Sequence, residues 1–138
     1  LGSDRSTLGP MIEALLKERS RTLGTDQHPE RGYFFRSDHF PFAKAGVPAL
    51  SLSEPTQFAG ANAADLKKKQ EEYNGKDYHQ PGDTVQANWA WEGAETVAEV
   101  MAILGWRISE MDKMPEWLPT GRFARLERGN TKDLPKEQ

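Results

Sequence analysis

Three histidines, His28, His39 and His79, are the only imidazoles in the chain. His79 falls in Asp77-Tyr78-His79-Gln80-Pro81-Gly82-Asp83-Thr84, a short loop that gathers an imidazole, a phenol and two carboxylates. A neutral imidazole is the commonest metal ligand. The competing reading is a solvated or structural loop histidine. His39 follows Ser37 and Asp38, where capping or packing competes with a role at a site. His28 precedes Pro29 in a polar turn and reads as exposed. A zinc site needs three or four protein ligands, usually from separate elements. His39 and His79 stand forty positions apart, so no helical pair of metal-binding histidines exists. HExxH, GxSxG, GxxxxGK(S/T) and GxGxxG are all absent. Ser, His and Asp are present, but without a nucleophile elbow. The residues alone mark a candidate site around 78–83, with 37–39 as a second group.

Composition narrows the chemistry. The chain has no cysteine, which excludes disulfides, Cys-ligated zinc, iron–sulfur clusters and a thiol nucleophile, and leaves the compartment open. Eighteen Lys and Arg against 21 Asp and Glu give a net charge of -3, which excludes a strongly basic nucleic-acid footprint. Six Phe, four Trp and three Tyr argue against a disordered tail. The 138 residues suit one domain. No apolar run is long enough for a membrane span. The chain begins Leu1-Gly2-Ser3, with no initiator Met or signal peptide. The expectation is therefore a trimmed start or a part of a longer protein.

The elements that would hold these residues follow from periodicity. Leu8, Met11, Ile12, Leu15 and Leu16 fall on one helical stripe, which predicts a helix over 8–19. Glu13 and Lys17 are expected to pair on its other face. Ser6 or Thr7 is the expected N-cap, with Gly24 past the end. A weak strand candidate lies near Arg21 to Thr25, and 24–36 is turn-rich. Ser37 suits the N-cap of a short helix with Pro41 near its first turn and Gly46 at C′. Val47 to Ser53 reads as a buried strand. Residues 54–88 form a long excursion. It holds a helix from Ala63 to Tyr73, whose Lys67–Lys69 and Glu71-Glu72 are a solvated face, and then a turn at Asn74-Gly75.

Residues 89–110 carry the strongest helical pattern: Val97, Met101, Leu104 and Ile108, widened by Val100 and Ile103. Trp89, Trp91 and Trp106 read as core packing in preference to a sugar or base platform. Residues 121–138 look like a poorly ordered tail. No internal repeat is present. One confident strand cannot satisfy its backbone alone. The element list therefore predicts an incomplete α/β domain, with self-association of the chain as the consequence.

Two runs carry a resemblance. The first is Gly32-Tyr33-Phe34-Phe35-Arg36-Ser37-Asp38-His39-Phe40-Pro41-Phe42-Ala43-Lys44-Ala45-Gly46-Val47-Pro48-Ala49-Leu50 and the second is Tyr78-His79-Gln80-Pro81-Gly82-Asp83-Thr84. Together, in order, they resemble the C-terminal portion of the co-catalytic di-zinc aminopeptidases, with the pattern R-S-D-H-x-x-F-x-x-A-G-(I/V)-P followed by Y-H-x-x-x-D. That superfamily of zinc exopeptidases also holds glutaminyl cyclases and glutamate carboxypeptidase. The resemblance covers about residues 1–110. It implies a partial α/β/α sandwich, incomplete in this chain, with 1–114 as the C-terminal part of a catalytic domain and 115–138 as a polar extension.

The resemblance also implies roles. His79 stands at a zinc-ligand position. Tyr78 stands where a tyrosine helps hold the oxyanion, chemistry that suits a donor acting only in the transition state. Ser37, Asp38 and His39 fall at substrate-pocket or ligand-supporting positions, and Asp83 where it would orient the ligand loop. The reaction implied is hydrolysis of an N-terminal peptide bond by a water activated between two zinc ions.

The family draws its other ligands (a His, a bridging Asp, a Glu and a further Asp) and its general-base Glu from upstream sequence. Those motifs are absent here, so the chain alone is expected to be inactive. The expected partner is a peptide substrate, without nucleic acid or membrane. The family points to an extracellular or periplasmic place. Two alternatives are a non-catalytic binding or dimerisation module of the same superfamily and a cyclase acting on N-terminal Gln. Tyr78 stands against the cyclase, where a Trp is usual.

Overall fold

Leu8, Ile12 and Leu15 recur at helical spacing, and burying them on one side is what makes Leu8–Glu18 a helix, α1. The structure, a computed structural model, describes residues 1–53, 61–87, 89, 91–119 and 123. The described residues hold three further helices: α2 (Phe40–Lys44), α3 (Ala63–Lys76) and α4 (Glu92–Ser109). Short 3-10 turns at Pro29–Arg31 and Tyr33–Arg36 precede α2. The chain divides into two units, Leu1–Ser53 with Val97–Gln138, and Glu54–Thr96.

In the first unit α1 packs on α4. Ile12 and Leu15 meet Val100 and Leu104, with Met11, Leu16, Leu23, Leu50, Leu52, Ile103 and Ile108 around them. Each fully buried side chain of this kind contributes about 1.5–3 kcal/mol. Ion pairs flank the contact. Arg107 grips Glu18 with both guanidinium ends, at 2.9 and 2.6 Å, and Arg19 reaches Glu99 at 2.9 Å. Glu13 and Lys17, expected to pair, form no ion pair with each other among the described residues. A second cluster holds Phe34, Phe40, Ala43 and Phe123, packed by Leu1, Phe35, Ala49 and Trp117. Trp117 and Phe123 thus bring the expected polar extension into contact with the N-terminal part. The rest of the expected tail, 121–138, lies outside the described residues.

Several helix ends differ from expectation. Thr7 is the N-cap of α1, but its hydroxyl accepts the Glu116 amide at 3.0 Å instead of capping. Ser6 takes the Leu8 amide at 3.3 Å. α1 ends before Gly24. Ser20, at φ 55, holds the left-handed position, while the amides of Ser20 and Arg21 return to the carbonyls of Lys17 and Leu16. That is a Schellman closure with serine in the glycine place. α2 closes in the same way on Gly46, at φ 80, as expected. Its N-cap is His39 and not Ser37, and Pro41 sits in its first turn, where a missing amide costs nothing. α3 runs through Asn74-Gly75 instead of turning there. Gly75 is exposed with open space around it, so the helix bears only the ordinary glycine cost of about 1 kcal/mol.

The largest departure concerns the sheet. Among the described residues the one β-bridge joins Ser6 and Trp117, and neither Val47 to Ser53 nor Arg21 to Thr25 forms a strand. The expected α/β sandwich is thus not seen, and the described residues are mainly helical. Ser51 and Leu1 exchange both backbone hydrogen bonds, at 3.0 and 2.6 Å, the pattern of a single antiparallel rung. A ladder needs neighbours to continue that rung, and the described residues supply none.

The tryptophans also differ from expectation. Trp106 is 70% and Trp91 52% exposed, so neither is a core residue. Met101, expected on the buried stripe, is exposed as well. α4 turns its Val100 and Leu104 edge inward instead.

Candidate functional site

In the second unit the end of α3 builds the loop that carries His79. Tyr73, in the last turn, receives the amides of both Asp77 and Tyr78 on its carbonyl, at 2.9 and 3.0 Å. The chain then turns twice, with Gln80 donating to Asp77 at 2.9 Å and Asp83 donating to Gln80 at 2.9 Å. The Tyr73 hydroxyl donates to Asp83 Oδ1 at 2.9 Å, so one residue touches the loop at both ends. Gly82 lets the strands of the loop approach: a Cβ there would lie 3.1 Å from Asp77 Oδ1.

His79 sits at the third position of the first turn with φ 59. Left-handed backbone costs a non-glycine residue about 1–2 kcal/mol, although histidine tolerates it better than most. Strain of this kind gathers at working residues, where the surroundings hold it in place. The His79 ring is exposed and stacks on Tyr78 at 3.9 Å, with planes 20° apart. Tyr78 itself is 50% exposed. The ring contacts continue from Tyr78 to Tyr73 at 6.0 Å, to Trp89 at 6.1 Å and to Trp91 at 5.4 Å. The Tyr73 phenol is held above its ordinary value. Its hydrogen bond to Asp83 is the main cause, then burial, then the negative charges of Asp83 and Asp77.

Among the described residues no three His, Cys, Asp or Glu side chains gather closely enough to hold a metal ion. The loop therefore offers one accessible imidazole whose nitrogens have no hydrogen-bond partner among the described residues. That fits one ligand of a zinc site and does not fit a complete one.

Ser37, Asp38 and His39 belong to the first unit. The Ser37 hydroxyl donates to the Tyr33 carbonyl at 2.8 Å, and the Ser37 carbonyl accepts the Phe40 amide. Asp38 is exposed. His39 lies edge-on to Phe34 with centroids 4.6 Å apart, and its Nε2 is buried without a hydrogen-bond partner. His28, as expected, is exposed, with Nδ1 3.2 Å from Glu30. Tyr73 was not among the site residues read from the sequence. Its signal is the spacing alone: a tyrosine one helical turn before the end of α3, five positions ahead of Tyr78.

The His39 imidazole is held below its ordinary 6.5, first by burial and second by the nearby N-terminal ammonium, with Asp38 pulling the other way. The folded chain thus binds this proton less readily than the unfolded chain. The stability attached to the neutral ring is fully present above pH 6.5 and is lost as pH falls from there toward the folded value. Urea midpoints are expected to decline through that window in the parent chain and to decline less in His39→Gln. An identical decline in both would assign the acid sensitivity to other groups.

Comparison with known proteins gives a family match. The model of peptidase family M28 matches residues 1–104, a stretch that includes both Ser37–His39 and the His79 loop. No curated protein and no solved structure matches the chain.

Proposed function

The chain belongs to peptidase family M28, and on that premise we propose that it supplies the Tyr78-His79 loop to the site of a zinc-dependent exopeptidase acting on peptide N-termini. The observation that supports this reading most is the His79 turn. An exposed imidazole is held in left-handed backbone beside a phenol, in a loop tied at both ends. In this reading His79 is a ligand to zinc and Tyr78 is the donor to the developing oxyanion. Asp83 keeps the loop in register. Zinc, when bound in such a site, polarises a carbonyl and lowers the pKa of water. The remaining ligands and the general base are not gathered among the described residues, so no chemical step follows from these residues alone.

Zinc titration of the chain, followed by the backbone and imidazole resonances, tests the reading. Zinc is expected to bind weakly and to move the signals of 77–84, with His28 little affected. His79→Ala is expected to remove that response. Aminoacyl anilides are expected to show no turnover by the chain alone. A response confined to other residues, or none at all, would favour a non-catalytic module of the family. Tight one-to-one zinc binding, or zinc-dependent turnover, would show that the ligand count is wrong.

A further inference from the structure

Tyr73 contacts the His79 loop with both backbone and side chain. Its carbonyl holds the amides of Asp77 and Tyr78, where the loop begins. Its hydroxyl holds Asp83 at 2.9 Å, where the loop ends. Its ring rests against Tyr78 on one side and edge-on to Trp89 on the other. Between those two anchors lies His79 at φ 59, a conformation the loop would leave if it were free to relax.

We propose that Tyr73 is a positioning residue: a clasp from α3 to Asp83 that fixes the left-handed turn and so aims the His79 imidazole. The carbonyl contacts belong to any residue at this position in the helix. The hydroxyl contact belongs to tyrosine alone. Without it the far end of the loop loses its tie to α3 while the Asp83 to Gln80 turn bond remains, and the turn can trade its left-handed residue for an ordinary one. The ring stays in Tyr73→Phe, so the packing against Tyr78 and Trp89 is kept while the clasp opens.

The proposal rests on the proposed function only in treating His79 as the working group, and its test reads the backbone without zinc. Four chains are compared by NMR: the parent, Tyr73→Phe, Asp83→Ala and Asp83→Asn. The readouts are the three-bond amide coupling and carbon shifts of His79, which report its φ, and amide exchange at Tyr78 and Asp83. A side-chain hydrogen bond of ordinary net strength corresponds to exchange about fivefold to tenfold faster once it is lost.

Tyr73→Phe and Asp83→Ala are expected to show that acceleration, with the left-handed signature of His79 averaged away. Asp83→Asn keeps an acceptor oxygen and is expected to restore both. Exchange within α1 and the second half of α4 is expected to stay unchanged in every variant. An unaltered His79 signature in Tyr73→Phe would overturn the clasp. So would equal acceleration throughout α1, since that would make Tyr73 a general stabiliser. An intact clasp in a chain whose His79 ignores zinc would instead support the clasp and count against the zinc reading.

Discussion

Phe34→Ala is expected to cost the chain about 3–5 kcal/mol, the range for emptying a buried aromatic site. Domains of this size are stable by only about 5–15 kcal/mol, so the substitution removes a large share of the total. Phe34 is 3% exposed and touches almost everything in its cluster. Its ring lies 5.4 Å from Phe35, 6.3 Å from Phe40, 5.7 Å from Phe123 and 4.6 Å from His39. The Arg5 guanidinium stands over its face at 4.6 Å. These contacts join the N-terminal residues, the Ser37–His39 turn and Phe123, so one deletion loosens all three. The imidazole of His39 should rise toward its ordinary value as water reaches it. Phe42→Ala is the control. That ring is 64% exposed, and a surface substitution of this kind stays within about 0.5 kcal/mol. Urea midpoints for the two variants decide the matter, and equal losses would show that the cluster is not a core.

What could be read from the sequence divides along physical lines. α1 was legible because its apolar stripe is narrow, and one face of Leu8, Ile12 and Leu15 admits one orientation. α4 was legible as a helix but not in register. Its apolar residues cover a wide arc, and the packing of α1 with Leu23, Leu50 and Leu52 decides which edge turns inward. Val100 and Leu104 are taken, and Met101 and Trp106 are left exposed. Gly75 inside α3 and Ser20 at the end of α1 show the limit of turn residues as signals. A local preference near 1 kcal/mol yields to continuing helix on one side and to a closed set of carbonyls on the other. Val47 to Ser53 is apolar enough for a strand, but a strand is a relation between segments, and among the described residues Leu1 is the one that answers.

The site follows the same rule. The Gly32 to Leu50 and Tyr78 to Thr84 runs were visible because their residue types and order are distinctive, and the family match spans both. The backbone at His79 was not visible. Nothing in Tyr-His-Gln-Pro announces a left-handed histidine, because that conformation depends on where the loop is pinned. The hydroxyl of Tyr73 was not visible either, because its partner lies ten positions on and is reached only after two turns have closed.

Tyr78→Phe, in the natural enzyme that carries this loop, is expected to lower kcat about 100- to 1000-fold, roughly 3–4 kcal/mol, on the proposed reading. The structure makes the substitution a clean one. Tyr78 stacks on His79 at 3.9 Å and packs toward Tyr73 at 6.0 Å, contacts that a phenyl ring repeats. Its amide bond to the Tyr73 carbonyl is backbone and does not change. Only the hydroxyl is removed, so zinc content and the fold should hold while the rate falls. KM should move little if that hydroxyl acts only as charge develops on the carbonyl oxygen. His79→Ala should differ in kind, losing bound zinc together with activity. His28→Ala should be nearly silent, since the His28 ring is exposed and meets Glu30 beside it on the surface. Kinetics with metal analysis on the three variants separate these outcomes. Full kcat in Tyr78→Phe at normal zinc content would make the tyrosine a support for the His79 ring, and the oxyanion role would fall.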